Sequence, residues 1–257
     1  KKRRQLAIKN INIAFPNKNK KEKIIIIKKS FQNLSEIVAY NLLIFSNRIN
    51  GKNINKYVTS KTFNNLESCI AKSSSGVLIL TGHIGNWECM SHFISLNTSS
   101  SFYAIARHMN NPLIENKFVS PIRKKFDINV FPKKNAILKL RRVLKKGSLA
   151  GILIDQKLND KMHIKTNFFN KTAKSTPLPA ILQIRCDVPI IFGYMIKNSS
   201  NKYELFFDNE IKIDYRNIPN DDLISYITSI YQKKLENVIK NYPEQWLWAH
   251  DRWGIKE

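Results

Sequence analysis

Short apolar runs alternate with helical patterns along residues 77–195 and predict a layered α/β fold. The predicted strands are four to eight residues long and rich in β-branched and aromatic side chains. They are Val77–Leu80, Phe102–Ala106, Ile128–Phe131, Leu149–Ile154 and Val188–Met195. Between them, apolar residues at helical spacing predict helices at Asn86–Leu96, Pro112–Lys125, Ala136–Lys146 and Pro177–Arg185. Strands that alternate with helices favour a mixed, mostly parallel central sheet flanked by helices.

The segment before this alternation predicts mostly helix. Residues 1–30 are basic and broken, with Phe15-Pro16 ending a weak first element and Lys18–Lys23 forming a charged loop. Apolar positions at helical spacing predict two helices, at about 30–50 and 55–72. We expect these helices to cover the sheet or its edge.

The segment after the alternation has a different character. Tyr203–Phe207 and Ile211–Ile213 predict a hairpin, and Pro219-Asn220 opens a long amphipathic helix. We expect one domain, with residues 1–72 as an N-terminal helical portion. Residues 73–257 would form the α/β core, ending in this helix and a tryptophan-rich tail.

The composition allows a large core but no obvious membrane span. The chain has 257 residues, of which 43% are hydrophobic, and this is enough for one well-packed domain. No apolar run approaches the roughly 20 residues that cross a bilayer. The sequence starts on Lys1-Lys2-Arg3-Arg4 without a methionine, so we expect a preceding segment.

The net charge of +24 implies an anionic partner. Nucleic acid, an acidic protein and an anionic lipid surface all fit such a charge. Heavy use of Lys, Asn and Ile is also typical of an AT-rich genome, which explains part of the excess without function. The sequence signatures of common nucleic-acid-binding motifs are absent, so nucleic acid rests on charge alone.

The cysteines predict neither a disulfide framework nor a metal site. Cys69, Cys89 and Cys186 are odd in number and far apart, which is typical of a reducing compartment. There is no CxxC motif and no clustered Cys/His set, so we expect no structural metal. Cys89 adjoins Glu88, but neighbouring helical positions point about 100° apart, so we interpret this thiol as buried filler.

The stretch Val77–Glu88 carries the clearest candidate chemistry. A predicted strand ends at Thr81-Gly82, His83 follows at once, and Asn86 is placed to cap the next helix. His83 and Glu88 can then face one cleft as a general base and its orienter, with free N–H groups at the helix start as an oxyanion site. An HxxxxE match is common by chance, and a lone histidine is more often structural.

Two further strand ends deliver polar side chains. Arg107 follows the strand at 102–106, where it could clamp a phosphate or a carbonyl oxygen or simply be solvated. Asp155 follows the strand at 149–154, where it could bind a substrate hydroxyl, hold Arg107 or cap a turn. In a parallel sheet both would emerge at the same edge as His83.

Three of the four tryptophans lie within eight residues of the tail, at Trp246, Trp248 and Trp253. This cluster is compatible with a base-stacking platform, a membrane-interface belt or a clamp on the core.

Several blocks in order along the chain resemble the late acyltransferases of lipid A biosynthesis, within the wider HxxxxD/E glycerolipid acyltransferase superfamily. Thr81–Glu88 (TGHIGNWE) resembles the family's GHxGNWE block. The remaining similar blocks are Asn12 with Phe15-Pro16, Arg107 with Asn111–Leu113, Ile154–Gln156, Phe168–Pro177, Asp187–Ile191 and Tyr242–Trp253. Asn170 stands where the family usually has Gly, and no stretch of residues 1–257 resembles the hydrophobic N-terminal anchor that the family usually has.

This resemblance implies a glycerolipid-acyltransferase-like fold and a specific reaction. An acyl chain would pass from an acyl carrier protein thioester to a hydroxyl of a lipid A precursor of the Kdo2-lipid IVA type, in lipopolysaccharide biosynthesis. His83 and Glu88 would be catalytic, and Arg107, Asp155 and Asn86 would bind substrate. No metal or other cofactor is implied.

The resemblance also implies a place and partners. The enzyme would act at the cytoplasmic face of the bacterial inner membrane, anchored by a segment that precedes Lys1. Its partners would be the acyl carrier protein, the lipid A precursor and the anionic membrane surface, with no nucleic acid. The alternatives are an acyltransferase for another glycolipid or phospholipid, a basic non-catalytic nucleic-acid- or membrane-binding protein, and a degenerate family member that merely binds membrane.

Overall fold

A seven-stranded mixed sheet lies at the centre of the protein, whose computed structural model describes residues 2–106, 111–133, 135–159, 162–216 and 218–255. The strands within these ranges are β1 (Val58–Ser60), β2 (Val77–Thr81), β3 (Phe102–Ile105), β4 (Ile128–Phe131), β5 (Leu149–Leu153), β6 (Ile164–Phe168), β7 (Lys171–Ser175), β8 (Ile190–Lys197) and β9 (Tyr203–Phe207). The sheet order is β1-β9-β8-β2-β5-β3-β4, and β6 pairs with β7 alone. The strands from β8 to β4 are parallel; β9 is antiparallel to β8, and β1 is parallel to β9. The predicted fold class is confirmed.

Helices cover both faces of this sheet. They are α1 (Lys2–Ala14), α2 (Lys20–Phe45), α3 (Phe63–Lys72), α4 (Trp87–Asn97), α5 (Pro112–Ile114), α6 (Ser120–Lys125), α7 (Ala136–Leu144), α8 (Leu178–Cys186) and α9 (Asn220–Asn241), with a π-helical turn at Glu115–Val119. Alternate residues of β2 point to opposite faces, so Leu78 and Leu80 join one apolar cluster and Val77 and Ile79 the other. All five residues of β2 are buried, as expected of a central parallel strand.

The N-terminal half departs from the sequence pattern at two places. The predicted charged loop at Lys18–Lys23 is wrong, because α2 begins at Lys20. Asn19 and Glu22 form a reciprocal capping box there, which offsets the poor apolar pattern. The predicted helix at 55–72 is also wrong in its first half, where β1 pairs with β9 at the sheet edge; a three-residue strand leaves no readable period.

The second half departs at two hairpins. The predicted pairing of Tyr203–Phe207 with Ile211–Ile213 is wrong. β9 instead pairs with β8 in antiparallel register, and the N–H of Ile211 donates a single hydrogen bond to the Ile190 carbonyl. A hairpin that the pattern did not indicate, β6–β7, turns at Phe169-Asn170. Both turn residues have positive φ, 50° and 56°, the conformation of the two-residue turn that suits strand twist.

Candidate active site

His83 and Asp155 come together because β2 and β5 are neighbours in the parallel sheet. Thr81 and Leu153, the last residues of these strands, are register partners. Each candidate residue lies two positions beyond its strand. His83 Nδ1 therefore lies 2.7 Å from Asp155 Oδ1, and the backbone N–H of His83 donates to Asp155 Oδ2 over 2.8 Å.

This pairing determines which nitrogen of His83 is free for chemistry. An ionised carboxylate only accepts hydrogen bonds, so the bond to Asp155 places the imidazole proton on Nδ1. Nε2 then carries a lone pair, and the side-chain amide of Gln156 donates to it over 3.3 Å. Gln156 is exposed; an incoming hydroxyl can take its place on Nε2.

Asp155 is rigidly held behind the histidine. It is 1% exposed, and the indole N–H of Trp246 donates to Oδ2 over 2.9 Å. Burial alone would raise the pKa of Asp155, but the charge of His83 and the hydrogen bonds from it outweigh that effect and hold the pKa well below its usual range. The carboxylate therefore stays ionised at neutral pH and favours a positive charge on His83.

The pKa of His83 is raised as a result. Desolvation acts to lower this pKa, but the charge of Asp155, the hydrogen bond to it and the charge of Glu88 more than offset the desolvation, while Lys133 opposes them. The ring also contacts Trp87 edge to face, with centroids 4.9 Å apart. His83 is thus a base whose protonated form is stabilised by its surroundings, as a general base requires.

The turn between β2 and α4 is anchored by the tail of the chain. Gly85 has φ +56° and donates to Gln245 O, and the His83 carbonyl accepts from Leu247 N–H. A Cβ at Gly85 would lie 1.6 Å from Met195 O, so only glycine fits. On the outer side, Asn33 of α2 donates to the Gly85 carbonyl. The turn that carries His83 is therefore fixed from two sides.

The first turn of α4 presents free backbone donors. Asn86 caps the helix by accepting from Cys89 N–H, and its own N–H donates to Met195 O. Within the described residues, the N–H groups of Trp87 and Glu88 have no hydrogen-bond partner. Such donors at a helix start can receive a developing negative charge.

The structure brings some of the sequence-predicted residues together and separates others. Glu88 lies near His83 and acts on it through its charge, but Asp155 occupies the Nδ1 position that orients the ring. The carboxylate oxygens of Asp155 accept hydrogen bonds from His83 and Trp246, and its predicted role in binding substrate stays a prediction. Asn86 is fully buried as a helix cap. Arg107 lies outside the described residues, so its role stays a prediction.

Comparison with known families gives this geometry a context. A family model described as bacterial lipid A biosynthesis acyltransferase matches residues 1–254. The chain belongs to this family. No curated protein sequence matches the chain at the significance required of a relative. Membership makes the protein an acyltransferase of lipid A biosynthesis, and the site at His83 is the candidate centre of that activity.

The contacts of three residues with this acyltransferase site were not predicted from the sequence. Gln156 follows Asp155 directly, but nothing local indicates that it contacts His83. Trp246 lies 91 positions from Asp155, and only the fold joins them. Lys133 had a usable signal: it comes two residues after β4, as His83 does after β2, and it influences the pKa of His83.

The tryptophan-rich tail of the acyltransferase clamps the core. Trp246 and Trp248 are fully buried, and Trp253 is 8% exposed. Arg252 is also buried, with hydrogen bonds to Ser175, Gln232 and the Lys174 carbonyl. Of the three interpretations that the sequence left open, the core clamp is the one that this packing matches.

His92, His250 and the Cys89 thiol have structural surroundings. His92 stacks on Phe126 inside the core, and burial lowers its pKa to about 3. Burial lowers the pKa of His250 to about 4 and raises that of the Cys89 thiol to about 12. In the described ranges, no group of three or more His, Cys, Asp or Glu side chains is arranged to hold a metal. None of the described helices is long and apolar enough to cross a bilayer.

Proposed function

We propose that this acyltransferase moves a fatty acyl chain from an acyl carrier protein thioester to a hydroxyl of a lipid A precursor of the Kdo2-lipid IVA type. The observation that carries the proposal is the His83–Asp155 pair, with Nε2 free to accept a proton, in a chain of the lipid A acyltransferase family. A paired imidazole of raised pKa suits deprotonation of a hydroxyl as that hydroxyl attacks.

In the proposed reaction His83 moves one proton. The acceptor hydroxyl replaces the Gln156 amide at His83 Nε2. Its oxygen attacks the thioester carbonyl while Nε2 takes the proton. Asp155 holds the ring in the productive tautomer and stabilises the imidazolium. When the tetrahedral intermediate collapses, the C–S bond breaks, the ester bond remains, and the imidazolium returns its proton to the leaving thiolate. The transfer needs no covalent acyl-enzyme, metal or other cofactor in this proposal.

Charge near His83 assists this step. The free N–H groups of Trp87 and Glu88 are suited to stabilise the oxyanion. Glu88, which we retain as a catalytic residue, stabilises the imidazolium through its charge. Lys133 and Arg107 are proposed to bind anionic parts of the substrates, and Asn86 supports the site as the cap of α4.

An exposed apolar face supports contact with the anionic inner-membrane surface, where the acceptor resides. The face, here called the α2 face, comprises Val38, Leu42 and Phe45 of α2 with Leu113 and Phe118 of the 112–119 segment. Each of these side chains is 39–65% exposed, and the Phe45 and Phe118 rings are 4.6 Å apart. Exposed cationic residues lie close to it along the chain, namely Arg48, Lys52, Lys117, Lys124 and Lys125.

Apolar side chains with a cationic rim are what an anionic bilayer surface binds. The 112–119 segment also follows β3, so it begins at the same sheet edge as His83. We therefore propose that the α2 face docks on the cytoplasmic leaflet of the inner membrane and brings the site to its lipid acceptor.

The donor and acceptor are tested by mass spectrometry of reaction products. Wild-type protein is incubated with lipid A precursor and either an acyl carrier protein thioester or the same acyl group on coenzyme A. We expect one added acyl chain with the carrier protein and much less with coenzyme A. No added chain on the precursor, but acylation of another glycolipid or phospholipid, would reject the proposed acceptor. Equal transfer from coenzyme A would reject the proposed donor.

A further inference from the structure

We infer that a lysine-lined groove beside the active-site loop binds a phosphate group of one of the two substrates, an inference that rests on the proposed acyl transfer. The groove, here called the lysine groove, has a volume of about 230 Å³. It is lined by Lys157, Lys165, Thr172, Lys174, Trp253 and Gly254. Three lysine side chains therefore line a space large enough for a compact anion.

The β6–β7 hairpin places two of these charges directly opposite each other. Lys165 and Lys174 are cross-strand partners in the antiparallel register, and both are exposed. Like charges in this arrangement repel and weaken the hairpin. In the described part of the chain neither ammonium has a carboxylate partner within 4.0 Å. An anion bound between them would convert the repulsion into attraction.

The third lysine is already partly neutralised. Lys157 Nζ lies 2.9 Å from Asp251 Oδ2, and both side chains are mostly buried. This ion pair fixes the position of Lys157 and leaves the uncompensated positive charge of the groove on Lys165 and Lys174. The groove thus combines one lysine held by an ion pair with two lysines that have no carboxylate partner among the described residues, next to the hydroxyl of Thr172.

The lysine groove is linked to the catalytic pair by short contacts. Lys157 lies two residues after Asp155 in the same loop, and the next residue, Leu158, donates its N–H to the Lys174 carbonyl. On the other wall, the Trp253 ring lies 6.4 Å from that of Trp246, whose indole N–H binds Asp155. An anion held in the groove therefore lies close to the acyl-transfer centre.

A phosphate group suits this groove best. Lysine is a compact point charge that binds phosphate oxygens without the planar match that a carboxylate–arginine pair needs. Both proposed substrates carry such a group: the phosphorylated sugar of the acceptor, and the phosphodiester that joins the prosthetic arm to the carrier protein. Anchoring either one would position the reacting atoms at His83.

A thermal measurement tests binding without requiring catalysis. The melting temperature of the full chain is compared in inorganic phosphate and in chloride at equal ionic strength. We expect a larger increase in phosphate for wild type, and no such difference for the Lys165→Gln/Lys174→Gln double variant. In chloride at low salt, the double variant should melt at or above the wild-type temperature, because the cross-strand repulsion is gone.

A charge-matched control separates the groove from the overall charge of +24. Lys72 and Lys146 are exposed and precede β2 and β5, so they lie at the opposite edge of the sheet from His83. The Lys72→Gln/Lys146→Gln variant loses the same charge and should keep the phosphate-specific increase. If the two double variants respond alike to phosphate, the lysine groove is not a phosphate site.

Steady-state kinetics then identify which substrate the groove holds. In the Lys165→Gln/Lys174→Gln variant we expect KM to rise roughly fivefold or more for one substrate, with kcat nearly unchanged, since a charged hydrogen bond at an exposed site is lost. A rise for the acceptor alone identifies its sugar phosphate, and a rise for the donor alone identifies the phosphodiester of the prosthetic arm. An unchanged KM for both substrates would overturn the inference. Absence of transfer in wild type would instead overturn the proposed function, and the melting temperatures alone would then test whether the lysine groove binds phosphate.

Discussion

At the scale of single residues, the proposed mechanism depends on which carboxylate orients His83. Replacing Asp155 by Asn keeps the shape of the side chain but no longer enforces a proton on Nδ1. We expect kcat/KM to fall on the order of 10³–10⁴-fold, the loss seen when a histidine base is held in the wrong tautomer. Glu88→Gln should cost less, about tenfold or about 1.4 kcal/mol of transition-state stabilisation, because Glu88 acts through charge alone.

The ranking of these two variants is the informative result. Both are measured in the same acyl-transfer assay, with circular dichroism to confirm equal folding. A larger loss for Glu88→Gln than for Asp155→Asn would contradict the role given to Asp155. It would restore Glu88, five residues after His83, as the orienting group.

The raised pKa of His83 predicts a pH dependence of activity. A general base must be neutral, so kcat/KM should increase with pH through the pKa of His83. The midpoint of this increase should lie above the ordinary histidine value of about 6.5. In Asp155→Asn the favourable charge is absent, so the remaining activity should reach its plateau at lower pH. An acid limb at the same pH in both proteins would exclude coupling between these two side chains.

The sequence predicts that His83 and Asp155 are site residues, but it does not predict that they contact each other. A histidine after a strand and turn, and an aspartate after another strand, are local signals. That β2 and β5 are adjacent is a property of the strand order, which a single sequence does not reveal. The spacing of five residues between His83 and Glu88 is visible in the sequence, so the orienting role was predicted for Glu88.

At the scale of elements, the β2–α4 turn depends on glycine at position 85. A Cβ there would lie 1.6 Å from the Met195 carbonyl oxygen, and the backbone has φ +56°. We expect Gly85→Ala to destabilise the protein by several kcal/mol, since strain and a backbone clash add together. Gly147→Ala is the matched control: φ is +81° there but nothing lies within 4 Å of a new Cβ, so only the strain of about 1–2 kcal/mol remains.

Urea unfolding measures both variants on one scale. Equal losses in the two proteins would show that the Met195 contact is not a constraint and that the turn can shift without cost. If Gly85→Ala lowers the free energy of unfolding more than Gly147→Ala does, a smaller fraction of that variant is folded. Acyl transfer should then fall in proportion to the folded fraction, since His83 lies two residues before the site of the clash.

Most elements of the sheet were predictable from the sequence, and the failures have local causes. The predicted strands at 77–80, 102–106, 128–131 and 149–154 agree with β2 to β5 within a residue, because buried parallel strands are continuous apolar runs. The β6–β7 hairpin was missed. Its exposed face is rich in lysine and its turn lacks glycine, so alternation and turn chemistry both gave weak signals.

At the scale of the whole molecule, the α2 face should govern membrane binding. We expect the Val38→Ser/Leu42→Ser/Phe45→Ser variant to bind anionic phospholipid vesicles several-fold more weakly than wild type in a sedimentation assay. Removal of apolar area from the contact reduces the transfer free energy. Binding should also weaken as salt is raised, because the cationic rim contributes through screened charges.

An exposed leucine outside this face provides the control. Leu138 of α7 is 64% exposed, and Leu138→Ser should leave vesicle binding unchanged. Equal weakening by Leu138→Ser and by the triple variant would mean that the apolar character of the surface as a whole, rather than the α2 face, determines binding.

The proposed role of His83 is tested by the mass of the lipid A precursor after incubation with acyl carrier protein thioester and either wild-type protein or His83→Ala. The alanine side chain cannot accept the hydroxyl proton, and circular dichroism checks the fold of the variant, which loses the contact with Trp87 and the bond to Asp155. We predict that wild type adds one acyl chain and that His83→Ala, folded to the same extent, adds essentially none. Acylation of the precursor at a comparable rate by His83→Ala would show that this histidine is not the base for acyl transfer.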